Sequence, residues 1–468
     1  MQNETDLQRE RNRQLQEKQL LEQAKKYAFD YFDRVCEMDA VPTKENRLLL
    51  DAFDEAMPDG PHSPEQILAL LQDAGRPNLS AQGGGRYFGF VNGGILPVSL
   101  AARWMADAWD QNAALSVMSP LAAKLEEVCE RWLVDLLDLP EGTAAGFVSG
   151  SSTATLCALA VARDALLLRQ GWDVRARGLY GAPVIRVVLG EQAHSSVVKA
   201  LSLLGMGKEN VVHAPVDAQG RIDPARLPDL DGNTLLILQA GNVNGGAFDP
   251  FEPLCARARA CGAWVHVDGA FGLWAAACRE TKPLTSGMSL ADSWSCDAHK
   301  TLNAPYDNGI VFCRSRDALV QTMQATGSYL QFGEERDNML YTPEMSRRAR
   351  GIELWAALRS LGRSGVDALV SQLCARARYF SQQLCSRGFR VFNDVVFNQL
   401  VVACDTPEET KATLAEIQAS GVCWCGGAVW QNEPVIRVSV CSWRTTQTDV
   451  DLSVAAFTSA RERARQSN

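Results

Sequence analysis

The chain has 468 residues, of which 46% are hydrophobic and 22% charged, the composition of an ordinary globular protein with a core large enough for an enzyme. Its length is typical of about two or three domains. The formal net charge of −9 and the isoelectric point near 5.3 argue against nucleic acid or an anionic membrane as a partner, because both attract basic surfaces.

The 14 cysteines are scattered and have no spacing typical of a disulfide framework. Cys423 and Cys425 form the only close pair, and a lone C-x-C pair is weak evidence for zinc, so no metal site is expected. The N-terminal region is polar and charged, unlike a signal peptide, and no apolar stretch approaches the roughly 20 residues that span a bilayer. These features predict a cytoplasmic protein with free thiols and no membrane partner.

The N-terminal part of the chain is predicted to be helical. Residues 8 to 36 carry apolar side chains at near-helical spacing, which predicts one amphipathic helix, either a solvated surface helix or an arm that docks on a partner subunit. A glycine-rich turn at 83–85 then precedes an aromatic stretch, and loops of this kind often line binding sites. Within it, Tyr87 and Phe88 are candidates for a pocket that favours an aromatic or otherwise apolar substrate, unless they serve as core packing.

From about residue 120, apolar strands alternate with helices. Strands are predicted at 144–148, 184–189, 235–239, 264–268 and 309–313, with helices at 121–137, 153–168, 194–204 and 251–260. Repeated units of this kind predict an α/β fold with a mostly parallel sheet, helices on both faces and ligands at the carboxyl ends of the strands. The predicted divisions are an N-terminal helical segment (1–105), a large α/β domain (106–354) and a small C-terminal α+β domain (355–468).

A segment rich in glycine and serine joins the strand at 144–148 to the next helix. Free backbone amides and the positive end of the helix dipole at such a junction favour a phosphate, and the hydroxyls of Ser151 and Ser152 add donors. Simple N-capping by serine is the common alternative. The segment has neither the G-K-[ST] of a Walker A loop nor the G-x-S-x-G of a serine hydrolase, which argues against both classes.

Three further residues follow strand ends. Asp268 ends an apolar strand, where a buried acid needs a cation such as a protonated pyridinium nitrogen, unless it only caps a turn. Lys300 lies 32 residues later. In a partly apolar site this lysine loses its proton easily and attacks an aldehyde, whereas a strand-end lysine taken alone is usually a surface charge. His194 opens a helix, where it either caps that helix or stacks on a flat cofactor ring.

A phosphate cradle, a stacking histidine, an acid for a ring nitrogen and a lysine are together the parts of a pyridoxal 5'-phosphate (PLP) site. With these parts in place, the chain resembles the group II PLP-dependent amino-acid decarboxylases, which include glutamate, aromatic-amino-acid and histidine decarboxylases. The matching stretches span residues 80 to 360 and are Arg86-Tyr87-Phe88, Ser119-Pro120 with Glu126, Gly150-Ser151-Ser152, Gln192-Ala193-His194-Ser195-Ser196, Phe248-Asp249, His266-Val267-Asp268-Gly269-Ala270 and His299-Lys300.

The resemblance implies a fold-type I PLP-dependent transferase fold and a homodimer whose active sites use both subunits, which favours the docking-arm interpretation of the N-terminal helix. It implies that Lys300 carries the Schiff base, Asp268 binds the pyridinium nitrogen and His194 stacks on the ring. The other contacts that it implies are Ser151 and Ser152 with the phosphate, Ala270 on the opposite ring face, and His299 near the phosphate or the substrate carboxylate.

Two segments depart from the family pattern. The turn at 241–246 stands where many relatives carry threonines, and either Asn242 or Asn244 is expected to supply the lost hydrogen bond to the cofactor. The mobile loop, placed at residues 331–345, looks short. Its tyrosine, Tyr341, is the candidate for the acid that protonates the carbon after carbon dioxide departs, unless it only packs near Pro343.

The resemblance therefore predicts an enzyme that decarboxylates an L-amino acid to the corresponding amine. The amino acid stays open, because no arginine is clearly placed to read a distal carboxylate. The alternatives are a PLP-dependent aminotransferase, a decarboxylating aldehyde synthase, and a cofactor-binding relative that serves as a regulatory or scaffold protein.

Overall fold

The computed structural model describes residues 5–325 and 335–466. Within these residues the chain forms a seven-stranded sheet and a four-stranded sheet. The seven strands of the large sheet are β1 (Ala144–Val148), β2 (Arg186–Gly190), β3 (Val211–Ala214), β4 (Thr234–Gln239), β5 (Trp264–Asp268), β6 (Ser293–Asp297) and β7 (Gly309–Cys313). The four strands of the small sheet are β8 (Arg390–Val391), β9 (Gln399–Ala403), β10 (Gly426–Trp430) and β11 (Glu433–Ser439).

The large sheet has the order β1-β7-β6-β5-β4-β2-β3. Strands β2 to β6 pair in parallel, and β7 runs antiparallel to both of its neighbours, β1 and β6. The prediction of a mostly parallel α/β sheet is confirmed. Because β1, β2, β4, β5 and β6 all point the same way, their carboxyl ends meet at one edge.

Helices cover both sheets and form the N-terminal segment. Their bounds are α1 (Asp6–Glu17), α2 (Gln19–Arg34), α3 (Lys44–Arg47), α4 (Pro64–Leu70), α5 (Pro97–Trp109), α6 (Pro120–Leu136), α7 (Ser151–Arg169), α8 (Val174–Arg177), α9 (Ser195–Leu203), α10 (Phe251–Cys261), α11 (Arg316–Met323), α12 (Gly351–Ser386), α13 (Pro407–Ser420) and α14 (Gln447–Gln466).

The prediction of one N-terminal helix is wrong in one respect. Two helices, α1 and α2, meet at Lys18, whose φ of 58° lies in the left-handed region and ends the hydrogen-bond ladder. The amphipathic pattern continues through this break, so apolar spacing alone does not reveal it. In the part of the chain that the structure describes, most of the exposed large hydrophobic side chains belong to the first 121 residues.

Helix α7 lies against the middle strands of the large sheet. It is the one described helix with the length and apolar composition to cross a membrane, which the sequence had not been expected to contain. Ten of its residues are buried within the fold. This burial is typical of a core helix that packs on a sheet, because protein rather than lipid covers its apolar surface.

The small sheet packs with α13 and α14 around a second core that contains Phe380, Ile436 and Phe457. Helix α12 runs from the large sheet into this core and breaks at Gly362, where φ is 58° and ψ is −174°. The predicted division at residue 355 falls inside this helix, before the break at Gly362.

Candidate active site

The residues singled out from the sequence converge at the carboxyl edge of the large sheet. Asp268 is the last residue of β5, and Asp297 is the last residue of the neighbouring β6. At the same edge, β1 leads into α7 at Ser151, and β2 leads into α9, which begins just after His194. The topology thus brings together residues that lie far apart in the sequence.

Asp268 is a buried acid. Its Oδ1 accepts a hydrogen bond from the amide of Ala270 at 3.2 Å. Burial raises the pKa of this carboxyl, while the nearby charges of His194 and Lys300 act in the opposite direction. The three residues therefore lie close enough to influence one another's ionisation, as a shared site requires.

His194 is the N-cap of α9. Its Nδ1 accepts a hydrogen bond from the amide of Ser196 at 3.2 Å and lies 2.7 Å from Ser196 Oγ. Burial lowers the pKa of the imidazole. With Nδ1 used as an acceptor, the proton of the neutral ring is on Nε2. Both alternatives drawn from the sequence are compatible with this geometry, since the residue caps the helix and also stands beside Asp268.

Lys300 lies beside Asp297, a residue that was not among the candidates from the sequence. Its Nζ lies 3.0 Å from Oδ2 of Asp297, a carboxylate that is almost fully buried. Burial by itself lowers the pKa of Lys300, but the charge and hydrogen bond of Asp297, together with Asp268 and Cys441, raise it, so the net shift is upward. The expectation that this lysine loses its proton easily therefore does not hold in the described environment.

His299 is held between the lysine segment and a tyrosine. Its Nδ1 accepts a hydrogen bond from the amide of Asn308 at 3.1 Å, and its Nε2 lies 3.5 Å from Oδ1 of Asp297. The ring stacks on Tyr306 with a centroid distance of 4.3 Å. Burial lowers the pKa of His299, which leaves a neutral ring that presents its Nε2 proton towards Asp297.

The proposed phosphate cradle has the local structure of an anion site. Gly150 precedes α7 and supplies no side-chain cap, while Ser151 and Ser152 form the first turn. Gly150 also packs against Gly309, where an added Cβ would lie only 2.4 Å from the Gly150 backbone. The Ser151 amide donates to Asp297 Oδ1 at 2.5 Å.

The two candidate asparagines have structural contacts in the turn at 241–246. Asn242 accepts hydrogen bonds from the amides of Asn244 and Gly245, and its Nδ2 donates to the carbonyl of Gln219 at 3.0 Å. Asn244 Nδ2 lies 3.4 Å from Gln192 Oε1. Asn242 thus stabilises its own turn, and a cofactor contact from either residue stays a prediction.

The two aromatic candidates, Tyr87 and Phe88, pack against different parts of the protein. Phe88 is buried in the small-domain core, packed edge-on against Phe380 at 5.2 Å, so its contacts are those of a packing residue. Tyr87 instead stacks on Trp424 with centroids 5.1 Å apart. Burial raises the pKa of Tyr306, and Cys441, Asp297 and Tyr87 are near enough to raise it further, which places Tyr87 close to the His299 segment.

Tyr341 makes the contacts of a packing residue. Its hydroxyl accepts a hydrogen bond from Arg316 Nη1 at 2.9 Å, and the guanidinium of Arg336 lies 3.8 Å from its ring centroid. Both arginines pair with Glu130. Residues 331–334 of the predicted loop lie outside the described residues. The role of Tyr341 as an acid stays a prediction, and its contacts favour the packing alternative.

Three site residues were missed in the sequence. Asp297 ends a buried strand, so the argument applied to Asp268 applies to it equally. Arg437 is a charged residue inside the apolar strand β11, and burial lowers its pKa. Its charge also lowers the pKa of His194, so the two lie close together. In the sequence, its position within an apolar strand is the signal for it.

Asn303 is the third site residue that was missed, and nothing in its local sequence distinguishes it. Its Oδ1 accepts from the amides of Gly94 and Trp443, and its Nδ2 donates to the carbonyls of Thr301 and Cys441. It thereby joins the segment after Lys300 to the glycine loop and the small domain.

The described residues fit PLP. Asp268 provides a buried carboxylate for a ring nitrogen, α7 presents a first turn with two serine hydroxyls to a phosphate, and Lys300 supplies an amine at the same sheet edge. A fold-type I α/β sheet with this set of residues defines a PLP-dependent enzyme.

Comparison with known proteins identifies the family. The model of the pyridoxal-dependent decarboxylase conserved domain matches residues 46–402. The chain is 27% identical over 387 residues to the acidic amino acid decarboxylase GADL1 of Mus musculus, covering 80% of this chain and 68% of that protein. It is 27% identical over 410 residues to tryptophan decarboxylase 1 of Oryza sativa subsp. japonica, covering 82% and 79%.

Solved structures agree on the fold. A crystal structure of Oryza sativa TDC with PLP and tryptamine has a TM-score of 0.88 at 22% identity, covering 95% of this chain and 97% of that one. A crystal structure of mouse CSAD has a TM-score of 0.87 at 20% identity, covering 95% of this chain and 98% of that one. The chain belongs to the pyridoxal-dependent decarboxylase family, whose members are PLP-dependent carboxy-lyases.

Proposed function

We propose that this protein decarboxylates an L-amino acid to the corresponding amine and carbon dioxide, with PLP held on Lys300. The observation that carries the proposal is the convergence of Lys300, Asp268 and His194 at one sheet edge, where the charges of His194 and Lys300 both lower the pKa of Asp268. This is the arrangement that PLP chemistry requires, and it arises from three separate strands.

The residues have distinct proposed roles. PLP, when bound, supplies the electron sink for the electron pair that the departing carboxylate leaves behind. Asp268 holds a proton on the ring nitrogen, and His194 stacks on the ring. The first turn of α7 binds the phosphate through Ser151 and Ser152, with Ala270 on the opposite ring face. The proton returned to the substrate carbon is proposed to come from His194, because the contacts of the alternative donor, Tyr341, are those of a packing residue.

Arg437 is proposed to bind a substrate carboxylate. Its guanidinium is largely buried beside His194, and burial alone accounts for its lowered pKa, with no carboxylate of the described residues contributing. A buried guanidinium without an acid partner is costly and suits a bidentate anion from outside the chain. Relatives include both an acidic amino acid decarboxylase and a tryptophan decarboxylase, so the side chain of the substrate requires a direct test.

The protein is also proposed to act as a cytoplasmic homodimer. Exposed leucines, two phenylalanines and a methionine lie between residues 7 and 57 of the N-terminal segment, and a second copy would cover them. All cysteines are free thiols, as a reducing compartment maintains them. Light scattering should give twice the 51.1 kDa of one chain, and a monomeric mass would exclude the dimer.

A substrate panel tests the reaction. The purified protein with PLP is incubated with each of the twenty common amino acids, diaminobutyrate and cysteine sulfinate, and carbon dioxide release is measured. Stoichiometric amine identifies a decarboxylase. Formation of a keto acid from the substrate without carbon dioxide would indicate an aminotransferase, and hydrogen peroxide with aldehyde would indicate an aldehyde synthase.

Lys300→Ala tests the proposed attachment site. We expect loss of the visible absorbance band and of turnover, whereas Lys199→Ala, a change of an exposed lysine on α9, should retain both. An active Lys300→Ala variant would exclude the proposed role of Lys300. A wild-type protein that binds PLP and releases no product from any amino acid would support the regulatory or scaffold alternative.

A further inference from the structure

Asp297 connects two parts of the site that the chain otherwise keeps separate. Its Oδ2 lies 3.0 Å from Lys300 Nζ, and its Oδ1 accepts the Ser151 amide hydrogen bond at 2.5 Å. One carboxylate therefore contacts both the lysine that is proposed to carry the cofactor and the first amide of the helix that is proposed to bind its phosphate.

The position of this carboxylate is fixed by its own backbone. The Asp297 amide donates to the carbonyl of Ala270 at 2.9 Å, and the indole of Trp274 donates to the Asp297 carbonyl at 2.9 Å. With both backbone groups bonded and the side chain only 2% exposed, Asp297 has little freedom to follow movements of its partners. It acts as a fixed point between them.

The contact crosses an intervening strand. In the sheet order β1-β7-β6, strand β7 separates Asp297 at the end of β6 from the helix that follows β1. Gly309 pairs with Asp297 in the β6–β7 register, and an added Cβ at Gly309 would collide with the backbone of Gly150. The absence of a side chain at Gly309 is what lets the start of α7 approach the end of β6.

We propose that Asp297 is a positioning residue that sets the spacing between Lys300 and the phosphate-binding turn and holds a proton on the Lys300 nitrogen. The inference rests on the proposed attachment of PLP to Lys300. It assigns Asp297 a role distinct from that of Asp268, because Asp268 is proposed to face the cofactor ring, whereas Asp297 contacts the lysine and the helix.

The electrostatic surroundings of Lys300 include several other groups. The titratable groups near its amine are Cys296, Asp297 and His299 on its own segment, Asp268 at the end of β5, His194 at the start of α9, and Cys441 after β11. Among these, Asp297 is the carboxylate in direct contact with the lysine nitrogen. Its removal should therefore have a larger effect on that nitrogen than a charge change elsewhere on the sheet.

The decisive measurement is a pH titration of the visible band of the holoenzyme, which follows the proton on the Lys300 nitrogen in its bond to PLP. Asp297→Asn removes the charge and keeps a hydrogen-bond acceptor. We expect the titration midpoint to fall by about one pH unit, the lower end of the shift caused by an opposite charge at this distance.

Asp292→Asn is the matched control. Asp292 immediately precedes β6, at the opposite end of the same strand, and its Oδ2 accepts a backbone hydrogen bond from Val265 at 2.8 Å. It is also a partly buried acid whose pKa is raised by burial, but it has no contact with Lys300 among the described interactions. Its variant should titrate like the wild type, so any general loosening of β6 is distinguished from the charge effect.

A second variant tests the spacing role. Asp297→Ala removes both contacts, and we expect the dissociation constant for PLP, measured by equilibrium dialysis, to rise by about tenfold, the equivalent of one lost hydrogen bond to a charged group. Asp297→Asn should retain most of the affinity, because its amide oxygen still accepts from Ser151. If the Asn variant does not fold, Asp297→Ser replaces it, since its hydroxyl also accepts without a charge.

The outcomes separate this inference from the proposed function. Borohydride reduction followed by mass spectrometry of the wild type locates the cofactor, and the absence of a label on Lys300 would refute the attachment itself. A labelled wild type with an Asp297→Asn midpoint equal to those of the wild type and Asp292→Asn would refute only the effect on the proton. Unchanged PLP affinity in Asp297→Ala would refute the spacing role.

Discussion

The ring of Tyr87 lies parallel to the indole of Trp424, with centroids 5.1 Å and planes 8° apart. The next residue, Phe88, is buried in the small-domain core. We expect these two neighbouring residues to have different roles, Tyr87 in substrate binding and Phe88 in stability. Tyr87→Ala should raise KM by about tenfold, the order expected when one pocket contact worth 1–2 kcal/mol is lost, while Tyr87→Phe, which preserves the stacked ring, should not.

Phe88→Ala provides the contrast. It should lower the free energy of unfolding by about 3–5 kcal/mol, because it removes a buried ring from a packed core, and leave KM unchanged where the variant is folded. Urea unfolding and steady-state kinetics measure the two effects. An increase in KM for Phe88→Ala without a loss of stability would restore the predicted pocket role of Phe88.

The second prediction concerns Arg437. Arg437→Gln should raise KM by at least tenfold, because the lost charge-assisted bond to a carboxylate is worth about 1.5–3 kcal/mol, and Arg437→Lys should recover only part of it. Arg390→Gln is the control, since Arg390 lies on β8 of the same sheet and pairs with Glu433 at the surface. Equal KM values for all of these variants would show that the carboxylate is bound elsewhere.

The third prediction concerns Tyr341. Tyr341→Phe should keep its turnover, because the contacts of this residue are those of a packed ring, and it should lose about 1 kcal/mol of stability with the hydrogen bond from Arg316. Removal of a general acid would instead reduce kcat by about 10²- to 10⁴-fold. Tyr379→Phe, which removes a surface hydroxyl that bonds Asp451, is the matched control.

The fourth prediction uses His266, which is fully buried in β5 with Nδ1 3.0 Å from Ser293 Oγ. Burial lowers its pKa from 6.5 to about 3. As pH falls through this window, the unfolded chain binds a proton that the folded chain does not, so folding stability decreases by up to about 1.4 kcal/mol per pH unit.

Replacement of this histidine isolates its contribution. His266→Gln should flatten the pH dependence of the unfolding free energy between about pH 3 and pH 6.5, the window between the lowered and the ordinary pKa, as measured by urea unfolding. His213→Gln, at an exposed histidine on β3, should leave the slope unchanged. Identical slopes for the wild type and His266→Gln would show that His266 is not the origin of the acid sensitivity.

Much of the large domain was predictable from local patterns. The strands ending at Asp268 and Cys313 were predicted with the observed bounds, because apolar runs and the glycines and polar residues that end them are local features. The break at Lys18 was not predicted, because the apolar periodicity continues across it. Strand β3 was also missed, since its short sequence, Val211–Ala214, is half exposed and offers little pattern.

The same distinction between local sequence features and long-range contacts applies to the candidate site. The sequence by itself predicted which residues carry the chemistry, since Lys300, Asp268, His194 and the Ser151-Ser152 turn all follow strand ends and match one family pattern. Tertiary structure alone decided that Asp297 reaches both Lys300 and Ser151, because that contact depends on the antiparallel insertion of β7 between β1 and β6. It also decided that Tyr87 and Phe88 face different surroundings and that Arg437 approaches His194 from the small domain. Apart from the contact between Asp297 and Lys300, these contacts join residues more than a hundred positions apart, and the packing that creates them produces no periodic pattern in the sequence.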